Sequence, residues 1–541
     1  MKKAAKLLSL LLALTFICGV FASCGKEEVS LSGEKFTYWG VLDSSSAHTV
    51  KSYSELLMYQ EMAKRTGIEV EFIHPSQGST GTEAFQIMLS AGSYYDMMEY
   101  GWSAYAGGPD QAIEDGVIIS LNDYMEEYAP NYYYYMEGDG GKEKNYSYRA
   151  TGISSGGNYY GFKNLNVGKY RGYLGLYIRK DLLDKWGLDI PTTIDQWELV
   201  LKTAKENGIK YPLTGPKTII GAYSPNLFSS AWGPGGHFYV DNGEVKFGPF
   251  EPEFKDYVKK MRDWMAAGYI DPDYLTNDTT IIHGQITSGN SIAALGYVGS
   301  DLGAIIPAMR ERNPEFRLAA CPWPVLKEGD KPRSQALQDN ATDPSIAISV
   351  QCGANDENRY KEAIRWCDYL YSDEGIVLKS FGVEGETFTI EKDENGEEHY
   401  IYTDKVTDYE KFGATNMSAA LYHFMLPANH PGFNQHPDYF NGYYEYPEQK
   451  DAIEVWNSSI EEAEKYVFPA LTYTGEEASR KANIEAAAKD NLIAAISNII
   501  LGKASMDTYD AAIEKCKKAG YSELLEINKA AYARYIKLIK K

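Results

Sequence analysis

The chain has 541 residues, 24% of them charged, with a net charge of −22 at neutral pH. So acidic a balance repels a phosphate backbone and argues against nucleic acid as a partner. The length exceeds what one compact core usually holds, so two or more lobes are expected.

At the start of the chain, Lys2, Lys3 and Lys6 precede an apolar run from Leu7 to Val20. A membrane span needs about 20 residues, so this shorter run fits the middle of a secretory signal. Ala22 and Ser23 then lead into Cys24, a pattern that looks like the lipobox of bacterial lipoproteins. There the leader is cut before the cysteine and the thiol takes lipid. Cys24 fits better than Cys18, because small residues precede it and Gly25 with a charged stretch follows. The expectation is a signal at 1–23, a polar lipidated tether at 24–34, and a protein anchored on the extracellular side of the cell membrane. Ordinary secretory cleavage with an incidental cysteine is the competing reading. The leader holds three lysines and no acid, so the remainder carries −25.

Glu34 to Leu42 reads as a strand and Ser54 to Gly67 as a helix, with Ser54 a plausible cap and Gly67 a stop. Ile68 to Pro75 alternates apolar and polar as a strand does. Gly81 to Gly92 is a helix and Tyr94 to Gly101 a strand, completing β-α-β-α-β and implying a parallel sheet covered by helices. NYYYYM, which includes Tyr132 to Tyr135, is placed beside a loop. A second α/β region starts near Leu174, with Thr193 or Asp195 capping a helix, and another helix stops at Gly268. Gly289 to Gly299 is a strand with an open loop, 391–402 a hairpin turning at Asn395-Gly396, and everything from Gly475 onward helical. DENGEE in that hairpin does not have EF-hand spacing, so no metal and no cofactor are expected. Cys321, Cys352, Cys367 and Cys516 lie far apart without a CxxC; outside the cell they could pair in three ways, but they read as mostly free, buried thiols, since a chain this long needs no staple. The 44 tyrosines outnumber the 19 phenylalanines, which suits surfaces that are wet and adhesive, including those that meet sugars.

Four blocks resemble one family. They are YIRKDLLDKWGLDIPTTIDQW, AAGYIDPD, WCDYLYSDEGIVLKSFGVEGETF and NIILGKASMDTYDAAIEKCKKAGYSELLEINKAAYARY. Together they are similar to the bacterial extracellular solute-binding proteins of maltose-binding type, in the lipoprotein branch that serves Gram-positive ABC sugar importers. SAGSYYDMMEY departs from the family's usual small-Gly-acidic-Leu-Pro-Asp run. The resemblance implies an α/β, two-lobed, periplasmic-binding-protein-like type II fold with an interlobe cleft and a helical C-terminus. Lobe one would be 35–168 plus 335–410, and lobe two 172–330 plus 411–541. The crossings would lie near 167–172 and 323–334. Implied partners are a carbohydrate ligand, the transmembrane permease subunits of an ABC importer, and the membrane through the lipid anchor. The chain itself would be a monomer.

A closed cleft needs flat apolar surfaces and a few fixed polar groups, and ligands of such sheets gather at strand carboxyl ends. Trp39, Trp102 and Tyr105 follow lobe-one strands, Tyr297 follows a lobe-two strand, and Trp232 sits in a glycine-rich loop. Trp323 and Arg171 lie at the crossings, and Glu384 stands between glycines. Packing competes with binding for each ring, and turn capping for Glu384. Trp186, Trp197, Trp264 and Trp366 are assigned to packing, since they recur at helical spacing.

Capture of an oligosaccharide is the leading functional expectation, without turnover. Binding of a non-sugar solute such as a peptide is the second. A glycosidase is the third; it would need two carboxylates about 5–10 Å apart. No nucleophile elbow, HExxH or P-loop is read.

Overall fold

The computed structural model describes residues 31–76, 79–138, 147–166, 170–222, 228–233, 235–333, 337, 339–414, 417–436 and 438–539. The signal, Cys24, most of the tether, 167–169 of the first crossing and 334 of the second lie outside the described residues.

Strand β1 (Phe36–Trp39), helix α1 (Leu57–Thr66), β2 (Val70–Ile73), α2 (Gly81–Ala91) and β3 (Met97–Tyr100) follow one another. β1 pairs in parallel with both β2 and β3, as the β-α-β-α-β order implies. Gly67, left-handed at φ 70°, ends α1, and a reciprocal Thr80–Glu83 cap opens α2. Ser54 does not cap α1; it lies in a short turn, Tyr53–Glu55, that Ser52 caps. Tyr132 is not beside a loop but in a helix, Pro130–Met136, with its ring in the core.

The chain continues through β4 (Phe162–Leu165), β5 (Leu174–Arg179), α3 (Ile194–Glu206), a hairpin of β6 (Phe238–Asp241) and β7 (Glu244–Phe247), and α4 (Pro252–Ala266). Then come β8 (Ala293–Tyr297), α5 (Gly303–Arg310), β9 (Leu318–Ala320), β10 (Ala341–Ile348), α6 (Asn358–Tyr369) and α7 (Asp373–Phe381). A hairpin of β11 (Phe388–Lys392) and β12 (Glu398–Tyr402), α8 (Met417–Phe424), β13 (Gly432–Phe433), α9 (Pro447–Asn457), α10 (Gly475–Ile500) and α11 (Ser522–Ile539) complete it. Thr193 caps α3 with Gln196 closing the box, and Gly268 follows α4 at φ 71°.

Lobe one carries a six-stranded sheet in the order β13-β4-β10-β3-β1-β2, and lobe two a three-stranded antiparallel sheet, β8-β5-β9. Neighbouring strand residues feed opposite cores. Tyr38, Met97 and Ile346 face one, while Trp39, Met98 and Ala347 face the other. In lobe two Tyr177 and Leu176 divide in the same way. A strand's side chains alternate, so residues next to each other in these strands pack into different cores. Cys321, Cys352, Cys367 and Cys516 are free and buried.

The boundary expected at 410/411 is displaced. β13 pairs in parallel with β4, so the lobe-one sheet reaches Phe433. This edge is only two residues long and has no strand-like alternation to read. It is held from α7, where buried Lys379 donates to the Phe433 carbonyl at 2.8 Å. Burial lowers that ammonium to about 7.

After β13 the chain passes to lobe two, where α9 lies on β5 and β9. The Trp456 ring rests on Gly175 so closely that a Cβ there would overlap it. Its Nε1 donates to the Leu176 carbonyl at 3.1 Å. Gly175→Ala is therefore expected to destabilise the chain by about 1–3 kcal/mol, read by chemical denaturation. An unchanged midpoint would show that α9 shifts freely on the sheet.

Candidate binding site

A pocket of about 460 Å³ opens where four stretches of the chain meet. Lobe one supplies Ser45 and His48, from the loop after β1. Lobe two supplies Gly299, Ser300 and the first turns of α5. The remaining wall comes from two stretches, Tyr409 with Met417–Ala419 before β13, and Tyr443, Glu445, Tyr446 and Gln449 in the passage after it. It thus lies between the carboxyl ends of β1 and β8, where open α/β sheets bind their ligands.

Small residues shape the lobe-two wall. A Cβ on Gly299 would overlap the Tyr443 hydroxyl, and one on Gly303 would stand 2.9 Å from Gln449 Nε2. Gln449 Nε2 donates to the Val298 carbonyl at 2.9 Å. The turn itself is set by Asp301, which accepts from the Tyr297 N–H at 2.7 Å and holds His283 Nε2 at 2.7 Å. Burial raises the Tyr443 phenol, and burial with the Glu445 carboxylate raises those of Tyr409 and Tyr446. All three hydroxyls stay protonated at neutral pH and can donate as well as accept.

Beside this pocket, under the loop after β1, lies a buried charge network. Glu99, at the end of β3, accepts from Tyr38 OH and faces His430 Nδ1 at 2.9 Å. His430 Nε2 faces Asp43 at 3.5 Å, and Asp43 accepts from the Ser45 N–H at 2.7 Å. Burial alone would lower the imidazole; the two carboxylates raise it to about 9.

The first crossing is gripped by the far end of α9. Asn457 Oδ1 accepts from the Arg171 and Gly172 N–H groups at 2.9 and 2.8 Å, and its Nδ2 donates to the Gly172 carbonyl at 2.8 Å. The same helix that meets the pocket at Gln449 therefore holds the crossing at Asn457.

Of the residues expected at the cleft, Tyr297 fits an open surface best. It is 53% exposed, two positions before Gly299. Three tryptophans are instead packed inside. Trp39 lies against Phe85 and Tyr100. Trp102 is fully buried, edge-on to the same two rings, and its Nε1 donates to the Ser345 carbonyl at 3.2 Å. Trp323 is buried and donates to the Trp456 carbonyl at 3.2 Å. The correction has one physical reason: a position after a strand does not say which way the ring turns, and here the indole N–H groups of Trp102 and Trp323 find backbone carbonyls inside while Trp39 packs among aromatic rings. Tyr105 stacks on Trp102 and donates to Asp115 at 2.8 Å. Trp232 is half-buried, edge-on to Tyr257. Arg171 is paired with Glu464 and lines a different cavity, of about 340 Å³, beside the crossings. Glu384 is exposed on the turn before β11 and lines neither cavity.

The sequence reading passed over His48, Tyr409, Tyr443, Glu445, Tyr446 and Gln449. The available signal was NGYYEYPEQ, aromatic yet without a helical or strand period. It also passed over Gly152–Gly156, which does spell Gly-x-Ser-x-Gly. That string follows the helix Ser147–Gly152 rather than turning from a strand into one. Ser154 is buried there, and its Oγ accepts from the Asn158 N–H at 2.9 Å. Asp393, Glu397 and His399 gather at the tip of the β11–β12 hairpin, where Asp393 accepts from the Asn395 and Glu397 N–H groups and so builds the turn. Among the described residues, no helix is long and apolar enough to cross a membrane.

Comparison with known proteins agrees with this architecture. The fructooligosaccharide ABC transporter substrate-binding protein FusA of Streptococcus pneumoniae is 27% identical over 297 residues, covering 51% of this chain and 54% of that one. Thus the match spans about half of that relative's length. Lipoprotein LipO of Bacillus subtilis is 22% identical over 367 residues, covering 65% and 68%. Among solved structures, an HMO-binding, ABC-transporter-associated solute-binding protein from Bifidobacterium longum infantis superposes with a TM-score of 0.72 at 18% identity, covering 92% of this chain and 98% of that one. The alginate-binding protein AlgQ2 gives 0.69 at 20% identity, covering 93% and 99%. The family profile described as bacterial extracellular solute-binding protein matches residues 48–376. With that profile over more than half of its length, on a two-lobed α/β fold, the chain belongs to the bacterial extracellular solute-binding proteins.

Proposed function

We propose that the protein captures an oligosaccharide in the pocket between its lobes and delivers it, uncut, to an ABC permease. The observation that carries this is the pocket's remaining wall. Tyr409, Tyr443 and Tyr446 line it with aromatic rings and protonated hydroxyls, beside the small residues Gly299, Ser300, Gly303 and Ala304. A pyranose or furanose offers that combination an apolar face and a fringe of hydroxyls. The sugar-binding relatives support the reading. Capture would proceed by hinge closure about the crossing that Asn457 holds. In this reading Cys24 carries the lipid that keeps the monomeric receptor beside its permease, and no chemistry is done on the cargo.

The test is a thermal-shift screen of the soluble form from Gly25 onward against oligosaccharides, peptides and amino acids. A ligand that binds only the native state raises the melting temperature. A shift with one glycan class, recovered intact, is the expected result. A shift with peptides alone, or a cleaved glycan, overturns the proposal. Tyr443→Ala is expected to weaken the captured glycan about tenfold, as loss of a central aromatic contact does. Calorimetric titration reads this, and unchanged affinity would remove Tyr443 from the site.

A further inference from the structure

The charges around the pocket narrow its cargo further, on the assumption that the oligosaccharide reading holds. Among the described residues, no lysine or arginine lines the pocket. Its one acidic lining residue, Glu445, is exposed and lies close enough to Tyr409 and Tyr446 to raise both phenols. Two more carboxylates hold the loops that form its walls, Asp43 under Ser45 and Asp301 between Ser300 and Gly303.

Three basic side chains beside these walls are already engaged. His430 lies between Glu99 and Asp43, and His283 is on Asp301. Arg310, two positions past Ala308, is paired with Glu448 and lies over the Tyr446 ring. A sugar carboxylate entering here would lose water, meet the like charge of Glu445 and find no lysine or arginine in the described lining, His48 being its one imidazole, and an unmatched like charge is how proteins refuse a ligand. A neutral glycan meets no such penalty, since its hydroxyls can donate to Glu445 and exchange hydrogen bonds with the three phenols and Ser300. We infer that this pocket selects an uncharged oligosaccharide and rejects uronate- or sialate-bearing ones, with Glu445 as the discriminating residue. Structural likeness to an alginate-binding protein shows the shared fold and does not carry over its acidic cargo.

The test offers the soluble chain two size-matched pools. One holds neutral malto-, xylo-, fructo-, galacto- and N-acetylglucosamine oligomers; the other holds oligogalacturonates, oligoalginates and sialylated glycans. Captured species are identified by mass spectrometry and titrated. Capture from the neutral pool alone is expected. An acidic glycan bound as tightly as any neutral one overturns the inference and leaves the oligosaccharide reading standing. Capture from neither pool withdraws the oligosaccharide reading and this inference with it. In Glu445→Gln the ratio of acidic to neutral affinity should rise about tenfold, as removal of a like charge predicts. An unmoved ratio would overturn the assignment to Glu445.

Discussion

Asp343→Ala is expected to destabilise the chain by about 3–5 kcal/mol, the usual effect of leaving one half of a buried ion pair alone. Asp343 sits in β10 with its Oδ1 2.8 Å from Lys163 Nζ, on the neighbouring strand β4. Ser103 Oγ donates to its other oxygen at 2.7 Å, and Ser345 Oγ donates to Oδ1 at 3.0 Å. Lys163 is buried, and its ammonium also lies over the Tyr160 ring, 4.8 Å from the centroid. Burial pushes the Asp343 carboxyl up, but the ammonium and the hydroxyls more than offset this and hold it below the usual range. Removing the carboxylate leaves a lysine in the sheet with no counter-charge. The double variant Lys163→Met with Asp343→Leu should recover most of the loss, because an apolar pair of similar volume needs no solvation. Urea denaturation of the three variants checks this. A single variant as stable as the parent would mean that Lys163 reaches water.

Stability is also expected to fall between pH 7 and about 9.5, through His430. A free histidine titrates near 6.5; in the fold this one is raised to about 9. A raised pKa means that the folded state holds the proton more tightly than the unfolded one. The contribution is therefore complete below about 6.5 and disappears as pH climbs through about 9, and the shift corresponds to something on the order of 3 kcal/mol. The groups facing the ring are Glu99 on β3, Asp43 in the loop after β1, and the edge-on ring of Tyr53. Lys379 on α7 acts on Glu99 at longer range. His430→Gln should flatten this part of the profile and weaken the tie between the stretch just before β13 and the β1 and β3 ends. Denaturation midpoints at half-unit pH steps, parent against variant, supply the test. Parallel profiles would assign the alkaline loss to other groups.

The parts of the fold that were legible share a local cause. The β1-α1-β2-α2-β3 order, the left-handed stops at Gly67 and Gly92, and the Thr193 cap are written within a few neighbouring residues. The burial of Trp197, Trp264 and Trp366 follows from helical spacing alone. The errors were long-range. Whether Trp102 faces a cleft depends on Phe85, Tyr100 and Ser345, the last of which is far along the chain. Whether β13 belongs to lobe one depends on a partner strand at Phe162–Leu165 and on a lysine from α7.

The sequence by itself thus determined the class: an acidic two-lobed α/β protein, whose periodicities and four family blocks require no contact map. Tertiary structure alone decided where the pocket lies and what lines it. Its walls come from four segments, near residues 45, 300, 409–419 and 445, brought together only when the passage after β13 folds back across both lobes. No local period encodes that meeting. The physical reason is that side-chain spacing reports which face of an element is buried, whereas a binding site is made of residues that remain unburied after every face has found its partner.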